Sequence, residues 1–229
     1  MQIESVPQTF IWVNSLPLSN KGEPHTQEHL LITKGNKGRD LNTTEGMSLA
    51  FSNAFTSQAY TAYNFNTAAG GTVFYKLFEE YLDALLHPDY TDEEVHREVC
   101  NWGVAEDAAT KQLKIEEKGS VYNEMKTGMN NPYAQVYDHM GRLLYGTTHP
   151  LSYNAGGNPA DIRILNAADI KHFHDLNYHL GNMGAITALP KTMPLAAVLK
   201  ETDQLLNRLQ PKEEQKVYSN QIPAPNAAP

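Results

Sequence analysis

The sequence predicts an α+β fold: a mostly antiparallel sheet covered on one face by helices. Short β-favouring runs lie side by side in the chain, Asn53–Ser57 and Tyr60–Phe65, with a turn between them. Long stretches with apolar residues at helical spacing are interleaved with further short strands. Adjacent strands paired in this way, with helices between the others, layer as helices on a sheet.

Composition bounds the rest. A chain of 229 residues suffices for one domain with a sizeable core. Residues 1–210 read as that domain, and 211–229, with Pro223, Pro225 and Pro229 among small residues, read as a linker or tail. The apolar fraction of 41% is well above that of a disordered chain. Eighteen Lys and Arg against 26 Asp and Glu give a net charge of −8, and no basic stripe is visible. Nucleic-acid binding is therefore disfavoured. Cys100 is the single cysteine, which excludes an internal disulfide and leans toward a reducing compartment. No stretch approaches the roughly 20 apolar residues of a membrane span. Met1–Thr9 lacks the basic and apolar regions of a signal peptide. The compartment stays open, cytoplasmic or organellar.

Each element has its own signal. Phe10–Val13 is a short strand, and Leu16–Pro24 is a loop punctuated by Pro and Gly. A helix starts near Pro24, since Pro is tolerated in the first turn, and Gly35 and Gly38 end it. Thr43–Phe51 reads as helical, ahead of the two adjacent strands. Val73, Leu77, Tyr81, Leu82 and Leu85 make one face of a helix over 73–86, which His87-Pro88 stops. Thr91 followed by three acids starts a helix that runs through Trp102, placing Cys100 mid-helix as a buried packing residue. Ile115 to about Tyr145 is a second long helical stretch with breaks at Gly128 and Pro132. Asn154–Pro159 is a loop, Asn166–Tyr178 a helix, Gly184–Leu189 a late strand and Pro194–Leu209 the last helix.

His25-Thr26-Gln27-Glu28-His29 carries the chemistry. On a helix, residues four apart share a face, so His25 and His29 can present two imidazoles to one Zn²⁺. Glu28 can aim its carboxylate at the position that a catalytic zinc keeps open, as general base. The order H-x-x-E-H is the inverted form of a zinc-peptidase helix, and a third ligand must come from elsewhere. Two His and a Glu also occur by chance on a solvated helix face, at about even odds for this segment alone. His172, His174 and His179 lie together without a patterned carboxylate and give a weak second metal site. His87, His96, His139 and His149 read as solvent-facing or capping, and Tyr60, Tyr63 and Phe65 as sheet packing.

Further segments carry a resemblance. Gly22-Glu23-Pro24-His25-Thr26-Gln27-Glu28-His29 is followed by Gly119-Ser120-Val121-Tyr122-Asn123-Glu124-Met125-Lys126. Asn53-Ala54-Phe55-Thr56, Tyr81-Leu82-Asp83-Ala84 and Gly156-Gly157-Asn158-Pro159-Ala160-Asp161-Ile162 lie in matching order. From about Phe10 to about Leu209 the chain resembles the M16 metallopeptidases, or inverzincins, and within them the presequence-protease branch. The resemblance implies a zinc endopeptidase domain acting on peptides or unfolded segments, with one Zn²⁺ per chain. His25, His29 and Glu124 would be its ligands and Glu28 its general base. Glu98 would orient a ligand His. Asn53, Ala54 and Phe55 would pair through their backbone with an extended peptide. Another branch has a shorter spacing to its third ligand, which would point to Glu106. Gln27 stands where the family usually has an apolar residue, and Leu30–Gly35 departs from the branch's run. The family's first strand is expected to be missing before Phe10. Partners implied are a peptide substrate and the remaining domains of the same enzyme. A non-catalytic M16-like peptide-binding or structural module is the alternative, and a closed structural zinc domain fits less well because one position stays open.

Overall fold

The structure, a computed structural model, describes residues 2, 3 and 5–210, so the tail expected over 211–229 lies outside the described residues. The elements follow in the order β1 (Gln2–Ile3), β2 (Gln8–Asn14), α1 (Glu23–Thr33), α2 (Gly35–Met47), β3 (Ala50–Thr56), β4 (Tyr60–Thr67) and α3 (Gly71–Leu86). Then come α4 (Asp92–Val99), β5 (Trp102–Glu106), β6 (Leu113–Glu117), α5 (Ser120–Gly128) and α6 (Pro132–Tyr145). The chain continues through α7 (Pro159–Ile162), α8 (Ala167–Asn177), β7 (Met183–Pro190) and α9 (Leu195–Leu209).

Five strands form one sheet in the order β1-β7-β2-β4-β3. Only β1 on β7 is parallel; the other pairs are antiparallel. The fold is therefore α+β, with β3 on one edge. Strand alternation sets the core face: Thr9, Ile11, Val13 and Ser15 on β2 and its continuation are buried, as are Thr61, Tyr63, Phe65 and Thr67 on β4. Helix α3 lays Phe74, Leu77, Phe78, Tyr81, Leu82 and Leu85 against that face at the spacing of a single helical stripe. The other face stays open, with Phe10, Phe51 and Ile186 well exposed.

A second, smaller core joins Leu30 with Val95 and Val99 of α4, Val121 and Tyr122 of α5, Ile162, Leu165 and Ile170. Leu31 belongs to the sheet core and Leu30 to this one. Helix α1 thus runs between two cores, which is why its residues 23–28 are all buried although most are polar.

Three segments depart from the sequence reading. Gly35 and Gly38 do not end the helical region; α2 starts at Gly35 and stops at Met47, short of the helix expected to Phe51. Its start is capped from outside, by Asp89 accepting from the Asn36 and Lys37 N–H groups at 3.1 Å each. Helix α4 stops at Val99 rather than Trp102, and Cys100 is its half-buried C-cap. The segment expected to begin a long helix at Ile115 starts instead as a strand, because β5 and β6 form a separate antiparallel hairpin with Val104 opposite Ile115. The breaks at Gly128 and near Pro132 do separate α5 from α6.

Candidate metal centre

The start of α1 is shaped by backbone rather than side chains. Gly22 caps it at φ 79° and Pro24 occupies the first turn, where a missing N–H is harmless. Gly22 lies against the loop at Gly156 and Gly157 so closely that a Cβ on it would sit 2.6 Å from the Gly156 carbonyl oxygen. Asn158 donates its N–H to the Asn20 carbonyl at 2.7 Å and fastens this crossing. Gln27, the polar residue at a position expected to be apolar, accepts a hydrogen bond from the Tyr90 hydroxyl at 3.0 Å.

His25 and His29 point the same way from α1, ring centroids 4.7 Å apart and nearly perpendicular. Glu124, on α5, closes the group. Its two carboxylate oxygens lie 3.6 Å from His25 Nε2 and 3.6 Å from His29 Nε2. One donor atom from each of the three residues lies within 4.8 Å of the others, the only such group of three among the described residues. Tetrahedral bonds of about 2.0–2.2 Å would set ligand atoms roughly 3.3–3.6 Å apart, so the 3.6 Å separations of Glu124 from both imidazoles suit a zinc ion. Glu124 is exposed on one side, and His25 is buried.

The outer ring nitrogen of His29 is held as a ligating histidine requires. Buried Glu98 meets His29 Nδ1 at 3.1 Å and Lys34 Nζ at 2.9 Å. Burial opposes ionisation of Glu98, but His29 and Lys34 outweigh it and hold the carboxyl below its usual range. For His29, burial works against the proton, while Glu98 and then Glu28 and Glu124 favour it and win. His25 is pushed the other way, by burial first and by His29 second, with the Gly156 backbone a smaller opposing influence. His25 Nδ1 itself makes no well-formed hydrogen bond. Glu28 sits beside the pair, buried, and its Oε2 accepts from the Thr56 hydroxyl at 2.5 Å. Burial raises its carboxyl above the usual range, against the Thr56 hydrogen bond and the nearby His29.

Asn53, Ala54 and Phe55 lie on edge strand β3, opposite Asn64, Tyr63 and Ala62 of β4. The Ala54 N–H is met by the Asn53 side-chain oxygen at 2.9 Å. Phe55 is 41% exposed. The end of β3 reaches the α1 site through Thr56. Glu106 lies away from the centre, exposed on β5 and paired with Lys111 at 3.1 Å. His174 is buried and spends Nε2 on the Leu85 carbonyl at 2.8 Å, while His172 is exposed. His149 is buried and caps a short 3-10 helix, and His87, His96 and His139 are exposed. Lys34 and Thr56 had no assigned part in the sequence reading. Thr56 directly follows Asn53–Phe55, and Lys34 closes α1 five residues after His29, so a position near the site is the only signal.

No family model matches the chain. By structure it is similar to an M16-like peptidase from Alicyclobacillus acidocaldarius (TM-score 0.69, 17% identity, 93% of this chain and 47% of that one). It is also similar to a protease from Helicobacter pylori (TM-score 0.70, 19% identity, 97% and 49%). A third neighbour is a peptidase M16 inactive domain from Pseudomonas fluorescens (TM-score 0.66, 13% identity). The chain shares its fold with these M16-like peptidases. Its sequence relatives include mitochondrial presequence proteases: 33% identity over 202 residues with that of Gibberella zeae and 29% over 210 residues with that of Xenopus laevis. These alignments take in 83% and 86% of this chain but 19% of each relative, so the chain spans about a fifth of their length.

Proposed function

We propose that this domain is the zinc-binding catalytic part of an endopeptidase that hydrolyses peptides or unfolded segments. The convergence of His25, His29 and Glu124 on one point carries the reading. These three residues would hold the ion. Zinc bound there would supply Lewis acidity, acidifying a water and polarising the scissile carbonyl. Glu28 would take the proton on its carboxylate and pass it to the leaving amine; its raised affinity for protons suits that exchange. Glu98, backed by Lys34, would keep the His29 ring in place. The β3 edge would hold the peptide extended through Asn53, Ala54 and Phe55. Remaining domains of the same enzyme would close over the peptide, as the relatives' greater length supports. The relatives' names favour an organellar compartment over a cytoplasmic one. Among the described residues no helix is long and apolar enough to cross a membrane.

The alternative, a non-catalytic module of the same fold, draws on the neighbour described as an inactive domain. Metal content and cleavage decide between them. Purified chain should carry about one zinc, lost or greatly weakened in Glu124→Gln. Glu28→Gln should keep the zinc and lose cleavage by about 100-fold or more. Zinc unchanged in Glu124→Gln would remove that ligand, and cleavage retained by Glu28→Gln would remove the base. No zinc in any form would favour the non-catalytic module.

A further inference from the structure

Thr56 ends the edge strand β3, and its hydroxyl contacts Glu28 Oε2 at 2.5 Å. Behind it stand two more hydroxyls. Thr61, its cross-strand partner on β4, lies 3.4 Å away, and Ser15 lies 3.2 Å beyond Thr61. Thr61 and Ser15 are completely buried. A hydroxyl has one proton to donate. Thr56 gives its proton to the Glu28 carboxylate, so at the next contact Thr61 must donate and Thr56 accept. Ser15 supports Thr61 from behind, and the row ends on the carboxylate.

Glu28 Oε1 has no hydrogen-bond partner among the described residues. One oxygen is thus anchored and the other left to work. The anchor belongs to the strand whose preceding residues, Asn53, Ala54 and Phe55, present the sheet edge. Resting on the proposed peptidase reading, we infer that Thr56 is a positioning residue that fixes the Glu28 carboxylate relative to the peptide-pairing strand, with Thr61 and Ser15 fixing Thr56. A peptide paired on β3 is then registered against the base by a single side chain of the same strand. Substitutions at Thr56 act on turnover through Glu28 and leave peptide pairing and zinc alone.

The test uses the zinc-loaded chain as wild type, Thr56→Val, Thr56→Ser and Glu28→Gln, with an unstructured fluorophore–quencher peptide. Val keeps the shape and removes the hydroxyl; Ser keeps the hydroxyl. Thr56→Val should lower kcat about tenfold or more. Its KM should stay within about twofold. Thr56→Ser should restore most of the rate, and all forms should bind equal zinc. A Thr56→Val rate equal to wild type, or Thr56→Ser as slow as Thr56→Val, overturns the role of Thr56. Cleavage by Glu28→Gln overturns the base itself, a separate outcome. A second measurement needs no turnover: crystal structures of the zinc-loaded wild type and Thr56→Val. A Glu28 carboxylate turned away from its wild-type position in Thr56→Val supports the inference, and an unmoved one overturns it.

Discussion

Gly22 and Gly156 meet backbone to backbone where the helix bearing His25 and His29 begins. Gly22 needs φ 79°, and a Cβ there would also collide with the Gly156 carbonyl. Gly22→Ala should therefore destabilise the chain by about 1–3 kcal/mol. A lower midpoint in urea unfolding with unchanged slope is the expected result, and an unchanged midpoint would show that the crossing relaxes freely. At this scale the sequence was informative where one helix did the arranging. His25, Glu28 and His29 could be placed together because their spacing and helical periodicity determine it. Lys34 reaches Glu98, and Thr56 reaches Glu28, across separate elements. No local pattern encodes contacts of that kind. Glu98 and Glu124 came only through resemblance, and the structure brings Glu98 to His29 and Glu124 to both histidines.

Helix α4 shows how elements hold one another. Thr91 and Glu94 form its capping box, and Glu94 also accepts from the Gly35 N–H at 3.3 Å and from Arg39 at 2.6 Å. Burial opposes the charge on Glu94, but these donors, the Thr91 N–H foremost, bring its pKa from 4.5 down to about 2. A carboxyl depressed by folding contributes its full stability above the unfolded value and loses it as pH falls toward the folded one. Glu94→Gln should thus cost about 1–2 kcal/mol at pH 7. The gap from wild type should narrow as pH drops from 4.5 toward 2. Urea midpoints at pH 7 and pH 3 measure this; a gap as wide at pH 3 would refute it. The same cross-element capping explains why α2 was misread. Two glycines near its start signal a stop, and the Asp89 and Glu94 caps that permit a start are far along the chain. The β5–β6 hairpin was legible in principle, since Trp102, Val104, Leu113 and Ile115 alternate with small or polar residues. The capping signal before it and the helical run after it masked that alternation.

For the molecule as a whole, the proposed ion would join α1 to α5, elements far apart in the unfolded chain. A ligand that binds only the folded form stabilises it by mass action, about 2.7 kcal/mol at one hundred times its Kd. Chelation should lower the melting temperature by several degrees. Readdition of zinc should restore it, and Glu124→Gln should blunt the shift; equal melting with and without zinc would refute the link. The sheet, its helical cover and most helices were legible, because periodicity reports burial directly. How the first turns of α1, residues 23–28, could all be buried was not, since its second core is assembled from four other helices.

The hairpin has one more consequence. It leaves and rejoins the chain at a single point, where the Lys118 N–H bonds to the Asn101 carbonyl. Everything between β5 and β6 could grow or shrink while α4 and α5 kept their places. The number of residues separating His29 from its distant carboxylate is therefore elastic, set by an excursion of the chain and not by the site. The other branch's shorter spacing reaches Glu106, out on that excursion; the sequence context and the geometry both favour Glu124 as the proposed third ligand.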